Sequence, residues 1–165
     1  MYIKIAGIEP ESIVDGEGIR FVIFTQGCLH HCKGCQNPQT WDFGSGRFMR
    51  TEDIIQQFKE KVLIDGITLS GGEPFMQPDA CLKLARAARK AGLTVWCYTG
   101  YTLETIRASN LYAEKELLRN IDVLVDGQFV EEKKSLDLRF RGSSNQRIIH
   151  LEHGRVVSIE GGDEQ

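Results

Sequence analysis

The sequence predicts an α/β protein built as an incomplete parallel (β/α) barrel. Three observations lead there. Short apolar runs alternate with helix-patterned segments, as in successive βα units. Four or five such units fit into 165 residues, whereas a closed eightfold barrel needs about 250. The chemically distinctive residues follow the carboxyl ends of the expected strands, where parallel α/β sheets carry their working groups. The three-cysteine loop follows "RFVIFTQ", "SGGEP" follows "ITLS", "TGY" follows "TVWCY" and "DGQF" follows "IDVLVD".

Taken in order, strands are expected at 2–6, 20–25, 66–70, 93–98 and 121–126, followed by a late pair at 147–151 and 155–159. Residues 51–61 read as a helix capped by Thr51, with Glu52 and Asp53 in a first turn whose dipole favours anions. The clearest helix is 79–91, which starts after Pro78, carries Leu82, Leu84, Ala85 and Ala88 on its apolar side, and is stopped by Gly92. Shorter helices are expected at 102–109 and 112–119.

With 41% apolar residues and no internal repeat, residues 1–160 fit one domain, and 161–165 ("GGDEQ") read as a disordered tail. The apolar runs are short, and the amino terminus lacks a basic region followed by an apolar core. Neither a membrane span nor a signal peptide is expected, and the expected location is cytoplasmic. A net charge of −3 gives no general attraction to nucleic acid. Five cysteines, three of them crowded, suit a reducing compartment with metal or redox use better than a disulfide framework.

Cys28, Cys32 and Cys35 have the spacing C-x3-C-x2-C, and thiolates are the soft ligands preferred by iron-sulfur clusters and zinc. A structural zinc site needs a fourth ligand and usually arrives as two separated pairs. His30 and His31 lie inside the loop and complete such a site awkwardly; His150 and His153 are a distant pair. A 4Fe-4S cube held by three thiolates leaves one iron open to a small molecule. In "GGEP" (71–74), adjacent glycines let backbone approach a ligand, and Glu73 can accept from an ammonium group; alone, the motif is also a common strand-to-helix turn. Asp126 before Gly127 reads equally as a turn residue. Cys81 and Cys97 are most simply small buried apolar residues.

The cysteine spacing resembles the signature of the radical S-adenosylmethionine enzymes. "VDGEGIRFVIFTQGC" (14–28) resembles the start of the glycyl-radical-enzyme activases within them, and "FRGSSNQRII" (140–149) the end of their smallest branch. The resemblance implies a fold of the radical S-adenosylmethionine type. It implies one 4Fe-4S cluster on Cys28, Cys32 and Cys35, acting catalytically, and S-adenosylmethionine bound near Gly34, Gln36, Gly71, Gly72, Glu73 and Asp126. Thr99 occupies a strand-end position similar to that of Asp126. Gly34 departs from the bulky residue frequent before the third cysteine, so adenine packing there falls to backbone or another side chain. Asp15 and Arg20 flank "GEGI", which in the family faces the protein substrate. Asn145, Gln146 and Arg147 cap the cofactor or line the partner surface.

The implied reaction is reductive cleavage of S-adenosylmethionine to methionine and a 5'-deoxyadenosyl radical, which takes an α-hydrogen from a glycine of anaerobic ribonucleotide reductase. The electron would come from a low-potential donor such as flavodoxin or ferredoxin. Alternatives are another glycyl radical enzyme as substrate, a small molecule such as a deazapurine precursor, and a non-enzymatic electron-transfer or zinc-binding module.

Overall fold

Continuously buried central strands and more exposed flanking ones build one eight-stranded sheet from β1 (Tyr2–Ser12), β2 (Arg20–Thr25), β3 (Arg47–Arg50), β4 (Gly66–Gly71), β5 (Thr94–Tyr98), β6 (Val123–Asp126), β7 (Arg147–Glu152) and β8 (Arg155–Gly161). The computed structural model describes residues 1–163; Glu164 and Gln165, the end of the expected disordered tail, lie outside the described residues. The front of that tail is paired instead. Gly161 closes β8 opposite Arg147, and the Gly162 N–H donates to Gln146 O at 3.1 Å.

Across the sheet the strands run β3-β1-β2-β4-β5-β6-β7-β8. The central β2, β4, β5 and β6 are parallel, and both flanks are antiparallel. The parallel set therefore begins at β2 and not at the expected strand 2–6. The link 13–19 is too short for the crossover of roughly a dozen residues that a parallel pair requires. β1 also outruns its expected end, because register shifts at Ile5/Gly7 and Glu9/Ser12 carry the ladder past Gly7 and Pro10. β3 has no apolar alternation; it is an edge strand defined by its pairing with β1.

Four helices connect these strands: α1 (Thr51–Lys59), α2 (Pro78–Lys90), α3 (Leu103–Arg107) and α4 (Tyr112–Arg119). Thr51 is the first helical residue of α1 and not its cap; its hydroxyl donates to Met1 O at 3.1 Å, and extended Arg50 holds the cap position. Pro78 opens α2, where its missing N–H costs nothing.

The helices pack on one face of the sheet. Phe21, Ile23, Ile67, Leu69, Val95, Cys97 and Leu124 from the parallel strands meet Ile54 and Phe58 of α1, Leu84, Ala85 and Ala88 of α2, and Leu117 of α4, all fully buried. Burial of each large side chain contributes about 1.5–3 kcal/mol. The other face carries Trp96, Val123, Val125 and Ile148 with Phe140 against them. Segment 13–19 lies over the same face, where a Cβ at Gly16 would stand 2.7 Å from both Arg20 and Trp96.

Candidate functional site

Parallel pairing sends the four central strands into loops at one edge of the sheet, so the cysteine, "GGEP", "TGY" and "DGQF" segments share that edge. The base of the cysteine loop is pinned by backbone: Gly27 N–H donates to Thr40 O at 2.7 Å and Cys28 N–H to Trp41 O at 3.2 Å. His31 stacks on Trp41 at 4.7 Å, closing the loop from outside. Within it, Cys35 N–H donates to Cys32 O at 3.1 Å, and Cys35 Sγ accepts the Asn37 N–H at 3.4 Å. Cys28 is buried, while Cys32 and Cys35 are half-buried. Burial pushes the Cys28 and Cys32 thiols up, opposed by the backbone N–H groups of His30 and Phe129. Gly34 and Gln36 are exposed; Gly34 has φ +77° and packs so near Glu131 that a Cβ would lie 3.0 Å from its side chain.

The structure gives the two glycines of "GGEP" a reason different from the expected one. A Cβ at Gly72 would lie 2.4 Å from Gly27 O, and one at Gly71, with φ +90°, would lie 2.5 Å from Thr25 N. The close approach they permit is to the backbone leading into the cysteine loop. Gly72 N–H donates to Thr25 O and Glu73 N–H to Gly27 O, both at 2.8 Å. Glu73, 1% exposed, accepts from Phe75 N–H at 2.9 Å, Gly100 N–H at 2.8 Å and the Thr99 hydroxyl at 2.8 Å. Thr99 thus serves the carboxylate directly.

Several expected positions take other jobs. Arg20, expected beside the substrate, is turned inward: it begins β2, at the end of the sheet away from the cysteines, and is 1% exposed. Its guanidinium donates to Thr68 Oγ1, Glu17 O, Ile67 O and Thr94 O at 2.8–2.9 Å, and burial pulls its pKa down to about 10. Half-buried Asp15 accepts from the Ser12 hydroxyl at 2.6 Å. Asp126 is clamped by Arg147, whose Nε donates at 2.9 Å, and by Leu103 N–H at 2.8 Å; Arg147 also donates to Glu104 at 2.8 Å. Asp126 is therefore an anchor between β6, β7 and the start of α3. Gln146 holds its own loop, accepting from Gly142 N–H and donating to Gly127 O. Asn145 donates to Gln128 O at 2.8 Å, while its buried Oδ1 has no partner.

Comparison with known proteins adds the family. Residues 14–149 match the family described as a 4Fe-4S single cluster domain. The chain is 40% identical over 151 residues to the anaerobic ribonucleoside-triphosphate reductase-activating protein of Escherichia coli (strain K12), covering 86% of this chain and 95% of that one. The protein of the same name from Salmonella typhi is 37% identical with the same coverage; that of Enterobacteria phage T4 is 34% identical, with 86% and 90% covered. The chain belongs to the anaerobic ribonucleoside-triphosphate reductase-activating proteins. The crystal structure of QueE from Escherichia coli is similar at 20% identity and a TM-score of 0.49, over 62% of this chain and 54% of that one.

This reductase-activating family member also holds a site residue that the sequence reading passed over. His30, considered there only as a metal ligand, places Nε2 2.7 Å from Glu73 Oε1 and Nδ1 3.2 Å from the Gln128 amide, with its ring edge-on to Tyr101 at 4.7 Å. No spacing rule joins residues 43 positions apart, so no signal in the sequence pointed to the pair. Among the described residues, no three His, Cys, Asp or Glu side chains lie close enough together to hold a metal ion.

Proposed function

We propose that this chain reductively cleaves S-adenosylmethionine on a 4Fe-4S cluster and so generates a glycyl radical on anaerobic ribonucleotide reductase. The observation that carries the reading is the juxtaposition of the three-cysteine loop with Glu73, a buried carboxylate that has no lysine or arginine partner among the described residues, stitched together through Gly27 and Gly72. The donor set fits the group: three reduced thiols on one pinned loop are the soft ligands an iron-sulfur cluster takes.

Cys28, Cys32 and Cys35 would hold the cluster. Gly71, Gly72 and Glu73 would offer carbonyl oxygens and negative charge to the methionine ammonium. Asn145 Oδ1 is an unsatisfied acceptor at the β6 end of the same edge and suits a ligand hydrogen. When bound, the cluster and S-adenosylmethionine supply one-electron chemistry whose product radical takes the α-hydrogen of glycine.

The sheet, with helices on one face and β3 and β8 as unpaired edges, supports a partial (β/α) barrel of the radical S-adenosylmethionine type, acting as one domain over residues 1–160. A partner's glycine loop would enter beside the strand-end loops. A flavodoxin or ferredoxin would supply the electron. No helix among the described residues is long and apolar enough to cross a membrane, and a cytoplasmic location is proposed.

The test mixes reconstituted protein, S-adenosylmethionine and a low-potential reductant with the reductase under strict anaerobiosis, and records electron paramagnetic resonance. A glycyl radical signal that changes when the reductase's glycine is deuterated is expected. Radical formation on pyruvate formate-lyase alone would overturn the partner, and turnover of a small molecule without a protein radical would overturn the reading. Cys28→Ala, Cys32→Ala or Cys35→Ala abolishes the cluster, whereas Cys81→Ala and Cys97→Ala retain it, both thiols being fully buried.

A further inference from the structure

The geometry points to His30 as a positioning residue that immobilises Glu73 for a cationic ligand; this rests on the function proposed above. Its Nε2 lies 2.7 Å from Glu73 Oε1, and its Nδ1 lies 3.2 Å from the Gln128 amide nitrogen. The Phe75 and Gly100 N–H groups and the Thr99 hydroxyl donate to the same carboxylate. Of these partners, His30 alone comes from the cysteine loop, so the place of the carboxylate is set from that loop as well as from the turns after β4 and β5.

The ring is itself held. Its side chain is 9% exposed, Tyr101 packs edge-on at 4.7 Å, and Gly100 lies so close that a Cβ there would stand 2.5 Å from the imidazole. His30 springs from the loop between Cys28 and Cys32, Glu73 follows β4, Tyr101 follows β5 and Gln128 follows β6. One imidazole therefore ties the cysteine loop to the other three strand-end loops, and displacement of the cysteine arms is transmitted to the carboxylate.

Two substitutions in the cluster-loaded full chain test this: His30→Leu, which fills the space without a donor, and His30→Gln, whose amide brings an N–H near the place of Nε2. Both are expected to keep the wild-type iron and sulfide content. His30→Leu should weaken S-adenosylmethionine binding about tenfold, as loss of a hydrogen bond to a charged group does. It should also blunt the change that this ligand produces in the electron paramagnetic resonance of the reduced cluster; His30→Gln should restore most of both. Wild-type affinity in His30→Leu would overturn the proposal, as would His30→Gln binding as poorly as His30→Leu. Loss of iron from both variants overturns it too, by making His30 a determinant of the cluster. If the wild-type protein binds no S-adenosylmethionine, the proposed function fails instead. The His30–Glu73 coupling is then judged from thermal unfolding of His30→Leu, Glu73→Gln and the double variant, where strict additivity would sink it.

Discussion

Glu73 and Asp126 look alike in the sequence, each an acidic residue at the end of an apolar run, and both are 1% exposed. The fold separates them by what stands opposite. Asp126 faces the Arg147 guanidinium, so its charge is balanced where it lies and the pair braces β6 against β7. Glu73 meets only dipoles and an imidazole. Its field reaches its neighbours: Cys81 and Tyr101 are pushed up, first by burial and next by the Glu73 charge. A buried anion without a cation is costly unless a ligand brings one, which is why such groups mark binding sites while balanced pairs mark architecture.

The comparison can be broken most forcefully at Arg147. Arg147→Met leaves Asp126 buried beside an apolar chain and should destabilise the protein by about 3–5 kcal/mol in urea unfolding, with Asp126→Asn in the same chain recovering part of the loss. A loss no larger than that of an ordinary surface substitution would mean that the two carboxylates are not so different. Next in size is Glu73→Gln, expected to weaken S-adenosylmethionine binding by about 1.5–3 kcal/mol in equilibrium titration while the cluster still assembles. Undiminished affinity would strip Glu73 of its assigned role. The smallest effect lies in acid. Arg147 holds the Glu104 carboxyl below its ordinary 4.5, so that contribution is complete above 4.5 and fades as pH falls through the lowered value. Glu104 is 66% exposed, which makes the term slight. Urea midpoints should fall between neutral and acid pH, and Arg147→Met should shallow that fall slightly.

Strands buried on both faces were the legible part of the fold. "RFVIFT" and "TVWCY" announce β2 and β5 because continuous apolar residues tolerate few other settings, and α4 occupies the expected 112–119. β3 was not legible, since "RFMR" owes its strand to a neighbour and not to its own pattern. The candidate site was legible where chemistry is local, in the cysteine spacing and the strand-end position of "GGEP". It failed where roles depend on distant partners. Arg20 near a "GEGI" turn suggests a surface, yet Thr68 and the carbonyls of Ile67 and Thr94 draw it inward. Asp126 reads as available until Arg147, 21 residues on, folds back against it.

The backbone bonds from Gly72 to Thr25 and from Glu73 to Gly27 join two loops that leave adjacent strands. In hydrogen-deuterium exchange, such a seam makes one cooperative unit of segments far apart in sequence. The amides of Gly72 and Glu73 should therefore exchange at a common slow rate, ahead of which Leu29, Lys33 and the other exposed positions of the loop's tip exchange freely. The floor of the cysteine loop opens only when the turn after β4 opens with it.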